Sequence, residues 1–335
     1  MKRIIYIHSN ICSITIHRLI TEFERKSENV LIITGRGTDW PYRQNSEKTK
    51  IVKIEDISDM DVLSIITISS VRELFTASKK YSLIKKIANS VIGDEKFVLY
   101  VPHLKIPFFQ ALSRHTLCKG YYFIEEGTMS YLSPNRLKQI FHYSLSKKII
   151  LFLCGIYYDY PYSINNNFKG TIAISDYAFI WNHKNKLLTS VDIDIKTSSS
   201  LYYEKMHIVI LSHINYNSFE QTFELLKRVC IYLKTKTPFI YVKPHPSSDS
   251  SEKNLLETIR LRIKKDIPEL KVIILPNNFV VEINLILAHS YIYSLSMASS
   301  LLLYAILLGG KSYIMGNEGL APIELTTVDS VLERV

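Results

Sequence analysis

Cysteine, glycine and proline are all scarce in this 335-residue chain, at four, eleven and eleven residues. Cys12, Cys118, Cys154 and Cys230 lie far apart and form no Cys-x-x-Cys. That pattern excludes a disulfide framework or a thiolate zinc site and fits a reducing compartment. So little Gly and Pro excludes collagen-like and linker-rich sequence. HExxH, Walker-type and Gly-x-Ser-x-Gly motifs are absent too, which removes the signatures of zinc proteases, P-loop enzymes and serine hydrolases. The ten histidines show no ligand-like spacing, so no metal is expected. Long apolar runs are few. The one opening the chain stops at His8-Ser9-Asn10, too short for a secretory leader, and reads as a buried first strand. The uncharged stretch Ser290–Gly310 has a membrane-spanning length but contains five serines and ends in Gly309-Gly310. It reads instead as a strand over Tyr291–Ser294 followed by a buried helix over Ser299–Leu308. The run Ile149–Tyr158 is shorter and reads as core.

What is present is a packed globule. Hydrophobic residues make up 47% and charged ones 21%, which excludes a disordered tail or a coiled coil. At about 150 residues per domain, the length predicts two domains. Lys and Arg number 41 against 31 Asp and Glu, a net charge of +10. The excess is dispersed in pairs such as Lys79-Lys80, Lys147-Lys148 and Lys264-Lys265. No nucleic-acid-binding signature accompanies it, and an anionic membrane face or a phosphorylated substrate accounts for it equally well.

Short apolar runs alternate with helical spacing throughout. Strands are predicted at Arg3–Ile7, Val30–Thr34, Lys50–Ile54, Val62–Ile68, Phe97–Val101, Tyr121–Ile124 and Thr171–Ile174. Helices are predicted between them at Ile14–Lys26, Val71–Ile92 and Ile106–Leu117. A second series follows: strands at Ile208–Leu211, Phe239–Val242, Lys271–Leu275 and Tyr291–Ser294, with helices at Ser218–Lys234, Lys253–Lys265, Val281–Ala288 and Ser299–Leu308. Alternating βα units imply parallel sheets covered on both faces, hence two Rossmann-like α/β domains. The seam is expected within Trp181–Met206, dividing the chain into residues 1–190 and 191–335.

In doubly wound sheets ligands bind at the carboxyl ends of strands, so strand ends carrying polar residues are the ones to examine. After Tyr121–Ile124 come Glu125-Glu126-Gly127. Adjacent residues face opposite sides, so one carboxylate can enter a site while the scaffold holds the other, and Gly127 permits a sharp turn. A carboxylate whose pKa desolvation raises can accept a hydroxyl proton, although acidic turns are also common. After Phe239–Val242 come Lys243-Pro244-His245-Pro246, a cation and a Pro-restricted imidazole suited to an anionic phosphate, or simply a Pro-rich loop. Ser299 and Ser300 open a helix after Tyr291–Ser294, as a phosphate site or as capping residues. Asp192-Ile193-Asp194 reads as a solvated strand face and Gly35-Arg36-Gly37 as a turn.

An acidic pair with Gly, then His-Pro, then Ser-Ser, in that order and each at a strand end, resembles the bacterial sialyltransferases of GT-B fold. The resemblance spans Glu125 to Ser300, over half the chain, and the region before Glu125 shows no match. It implies the GT-B architecture, with two Rossmann-like domains whose parallel sheets face a central cleft. The N-terminal domain would bind acceptor and carry the base, and the C-terminal one would bind the CMP-sugar. It implies that Glu126 is the general base, supported by Glu125 and Gly127. His245 would assist the departing phosphate. Lys243, Pro246, Glu282, Ser299 and Ser300 would hold the nucleotide. His103 lies outside the matched region and is a candidate acceptor contact only because it follows the strand Phe97–Val101.

The implied reaction is an inverting, metal-independent transfer without a cofactor. The donor is CMP-sialic acid or another CMP-nonulosonic acid, and the acceptor a galactoside of lipooligosaccharide or capsule. Such an enzyme is expected in the cytoplasm, peripheral at the anionic inner membrane face, and not on nucleic acid. The alternatives are a Kdo transferase or a CDP-glycerol glycerophosphotransferase, which share His-Pro and paired serines. A non-catalytic polysaccharide-assembly protein is a third.

Overall fold

The computed structural model describes residues 1–35, 40, 42, 46–53, 71–140, 162–182, 185–191, 200–211, 219–245, 250–295, 299–315 and 321–334, without side chains at 71–78, 80 and 81. The chain divides into two compact units, Met1–Lys196 and Thr197–Val335.

In the first unit, strands β1 (Lys2–Ile7), β2 (Val30–Thr34), β3 (Thr49–Lys53), β4 (Phe97–Val101), β5 (Cys118–Ile124), β6 (Phe168–Ala173) and β7 (Lys186–Leu188) form one parallel sheet. Their order is β3-β2-β1-β4-β5-β6-β7. Helices α1 (Asn10–Arg25), α2 (Val71–Ile92), α3 (Pro107–Ser113) and α4 (Pro134–Ile140) lie among them in the chain. The sequence marches outward from β1 to β3 and then returns to pair β4 on the other side of β1. The point where strand order reverses therefore lies between β1 and β4, where a doubly wound sheet opens a crevice at its carboxyl edge.

Packing follows from spacing. Ile16, Ile20 and Phe23 recur on one face of α1 and are buried against Ile5, Ile7, Val30, Ile32, Val98 and Tyr100. Each such side chain contributes about 1.5–3 kcal/mol relative to exposure. Ile4 to Ile7 are all buried, as expected for a central parallel strand covered on both faces.

The second unit repeats the plan. Strands β8 (His207–Ile210), β9 (Phe239–Lys243), β10 (Lys271–Ile274), β11 (Tyr291–Ser294), β12 (Lys311–Ile314) and β13 (Ile323–Leu325) take the order β10-β9-β8-β11-β12-β13. All pair in parallel except β13, which runs antiparallel to β12. The helices are α5 (Phe219–Leu233), α6 (Ser250–Asp266), α7 (Val281–Ala288), α8 (Ser300–Leu307) and α9 (Val328–Leu332). Leu226, Val229 and Leu233 of α5 and Leu256, Ile259 and Ile263 of α6 share a core with Val209, Ile240 and Val242. Here strand order reverses between β8 and β11.

The uncharged stretch near residue 300 is a strand and a short helix, as its serines predicted. Gly309, at φ 81, follows that helix. No helix among the described residues is long and apolar enough to cross a membrane. The strand expected at Val62–Ile68, the core run Ile149–Tyr158, and the Asp192-Ile193-Asp194 segment lie outside the described residues. Strands β7, β12 and β13 were not anticipated.

Candidate active site

Three neighbouring strands of the first sheet deliver side chains to one place at their carboxyl ends. His8 follows β1 directly, and Ser9 caps α1, its Oγ accepting from the Cys12 N–H at 3.3 Å. The imidazole is thus held in a turn fixed by a buried strand on one side and a capped helix on the other. His103 follows the end of β4, and Glu125 and Glu126 follow β5. Ser9 Oγ also donates to the Glu126 carbonyl at 3.4 Å, tying the ends of β1 and β5 together.

The two glutamates divide as strand alternation requires. Glu125 is fully buried. Its carboxylate accepts the Tyr131 hydroxyl and, at 2.8 Å, the Ile174 N–H beyond β6. It holds the scaffold. Gly127 follows with φ 148, a conformation that favours glycine, and the short 3₁₀ turn Thr128–Tyr131 begins there.

Glu126 turns the other way. One carboxylate oxygen lies 3.0 Å from His8 Nε2 and 3.7 Å from His103 Nε2. The other accepts the Tyr162 hydroxyl at 3.0 Å. The side chains of His8, His103 and Glu126 are only 5–7% exposed. Burial is the largest influence on Glu126 and opposes ionisation. Electrostatic interaction with His103, the hydrogen bond and electrostatic interaction with His8, and the Tyr162 hydroxyl together outweigh it and hold the carboxyl down at about 2. Desolvation alone would raise the carboxyl, but the converging groups win. Tyr162, buried and facing that anion, is pushed well above its ordinary value and remains an O–H donor. Burial takes the nearby Cys12 thiol up to about 12, so it is no nucleophile.

His8, His103 and Glu126 are also the one group among the described residues with metal-ligand chemistry, their ligand atoms lying within 4.8 Å of one another. The spacing of histidines in the sequence does not reveal it. The hydrogen bonding does not fit a ligand set. The Lys105 backbone N–H donates to His103 Nδ1 at 3.2 Å, so the ring proton sits on Nε2, the nitrogen a metal would need. His8 is hydrogen-bonded to the Glu126 carboxylate, and His103 lies within electrostatic reach of it at 3.7 Å.

In the second unit Lys243 ends β9, is 6% exposed, and donates from Nζ to the carbonyls of Pro276 (3.3 Å) and Asn277 (2.7 Å). Burial brings it down to about 8, with Glu282 in the first turn of α7 acting in the opposite direction. Lys243 and Glu282 are therefore within electrostatic reach. His245 is half-buried just beyond β9, and Pro246 lies outside the described residues. Ser299 caps α8, accepting from the Leu301 N–H at 3.3 Å, and Ser300 is its first residue.

His8 and Tyr162 were missed by sequence reasoning. His8 carries the same signal as Glu126, a polar group directly after an apolar strand. Tyr162 carries none.

No family model matches the sequence, and no curated protein matches it. Solved structures match the fold. The structure of UDP-GlcNAc 2-epimerase from Methanocaldococcus jannaschii is 11% identical, with all of this chain and 91% of that one covered at a TM-score of 0.51. MnaA from S. aureus, in a co-structure with UDP, is 10% identical, with 99% and 86% covered at a TM-score of 0.50. At this identity the likeness shows the fold: two Rossmann-like α/β domains of the GT-B class.

Proposed function

We propose that the chain is an inverting glycosyltransferase. It moves sialic acid or a related nonulosonic acid from a CMP-linked donor to a hydroxyl of a glycan or glycolipid acceptor. The transfer reading is carried by the Glu126 centre, an ionised carboxylate with imidazole donors beside the point where strand order reverses. The donor reading rests on the order of the acidic-acidic-Gly, His-Pro and Ser-Ser motifs. In the proposed step the acceptor O–H bond breaks and its proton passes to the Glu126 centre. The oxygen bonds to the anomeric carbon, and the electron pair of the breaking C–O bond leaves on the CMP phosphate. Lys243, His245 and the Ser299–Ser300 helix start would meet that phosphate, with Glu282 on the nucleotide side. The work would be done at the cytoplasmic face of the inner membrane, where the excess of positive charge meets anionic surfaces.

The test is mass spectrometry of products formed from CMP-N-acetylneuraminic acid and a panel of galactosides. CMP, CDP and UDP binding is measured alongside. A sialylated galactoside with preferential CMP binding is the expected result. Turnover of UDP-GlcNAc to its epimer, or UDP preference with no sialylated product, would overturn the proposal.

A further inference from the structure

A carboxylate surrounded by three donors is stabilised as an anion, and that makes it a weak base. General-base catalysis is most effective when the acceptor's affinity for protons suits the working pH. The three groups contacting Glu126 differ in what they can still accept. Tyr162 is an O–H donor that keeps its proton. His103 has its Nδ1 occupied by the Lys105 N–H and presents Nε2–H to Glu126. His8 is different. Its Nε2 faces the carboxylate at 3.0 Å, which fixes the proton there, and its buried Nδ1 has no hydrogen-bond partner among the described residues. A buried imidazole nitrogen left with a free lone pair is costly unless something uses it.

We propose that His8 is the general base of this centre: its Nδ1 takes the acceptor hydroxyl's proton, while Glu126, hydrogen-bonded to Nε2, orients the ring and balances its charge. This rests on the transferase reading and divides the labour within it. The acceptor O–H bond breaks, the proton adds to Nδ1, and the pair becomes an imidazolium next to a carboxylate. The oxygen bonds the anomeric carbon as the phosphate departs with its electron pair. The logic is that of a histidine–carboxylate dyad with the two ring nitrogens exchanged. Groups facing His8 are the Tyr6 and His103 rings at 5.7 and 5.6 Å, the Cys12 thiol from α1, and Glu126 with Tyr162 behind it. Among these Glu126 is the permanent negative charge.

His8→Gln separates the roles, because its amide can still donate to Glu126 but has no basic nitrogen. Sialyl transfer is measured from CMP-N-acetylneuraminic acid to a lactoside, with CMP affinity measured in parallel. The expected result is a loss of about 100-fold or more with CMP affinity unchanged. Wild-type transfer should fall as the medium is acidified from neutrality. Glu126→Gln should also lose transfer, since its amide would donate to Nε2 and force the ring proton onto Nδ1. A His8→Gln rate within about threefold of wild type, or wild-type transfer flat down to about pH 4, overturns the assignment and returns the proton to Glu126. Should the variant not fold, the wild-type pH profile decides alone. If no nucleotide sugar yields product with the wild-type protein, it is the transferase reading that fails.

Discussion

Replacing Glu126 with Gln should change how the first unit responds to acid, by an amount that follows from its surroundings. In the folded chain the carboxyl is held at about 2 against an ordinary value of 4.5. The difference corresponds to about 3 kcal/mol of preference for the ionised form when folded. The sign follows from the direction: the folded value lies below the unfolded one. The contribution is complete above about pH 5 and is lost as pH falls from 4.5 through 2, more than half of it by pH 3. Glutamine cannot ionise, so the variant lacks this component while keeping every other titrating group. Both tryptophans, Trp40 and Trp181, belong to the first unit, and Trp181 packs 5.8 Å from the Tyr162 ring. Tryptophan fluorescence during urea unfolding therefore reports this unit. Unfolding free energies of wild type and Glu126→Gln at pH 7, 5, 4 and 3 should converge by about 2 kcal/mol between pH 5 and 3. Parallel pH dependences would refute the claim that three donors hold the carboxylate ionised.

Three further outcomes follow. Glu125→Gln replaces a buried charge-assisted acceptor of two donors by a neutral amide, whose oxygen can keep the Ile174 N–H only if its N–H faces the Tyr131 hydroxyl and turns it from donor to acceptor. It should cost about 1–3 kcal/mol of stability, and an unchanged unfolding midpoint in the same fluorescence assay would refute its scaffold role. Lys243 loses its proton at about 8, so the cation is present at neutrality and disappears above that. Under the proposed function CMP affinity should fall between pH 7 and 9 in the wild type but not in Lys243→Met, and a flat wild-type titration by calorimetry removes Lys243 from the phosphate site. Chelation with EDTA should leave transfer unchanged, because His103 Nε2 bears its proton. Loss of transfer restored by zinc or manganese would make His8, His103 and Glu126 a metal site.

What could be read in the sequence depended on whether the signal was local. An apolar strand running into Glu125-Glu126 marks a strand end, and alternation alone implies that two adjacent carboxylates take different sides. The structure gives one to Tyr131 and Ile174 and the other to His8, His103 and Tyr162. The direction of Glu126's ionisation was not legible. Burial can be inferred from a hydrophobic pattern, but the donors that outweigh it come from β1, β4 and the segment before β6, and only strand order brings them together. Ser9 and Glu126 touch across a separation of 117 residues. The short strands β7, β12 and β13 span three or four residues, too few for a period of two to stand out. His8 failed for another reason. It ends an apolar run, and the same position, directly after the central strand of a doubly wound sheet, is where chemistry collects. Strand β1 adjoins the switch point, so His8 carries the strand-end signal that marks Glu126, while its nearness to Glu126 depends on the order β1-β4-β5, which no local pattern encodes.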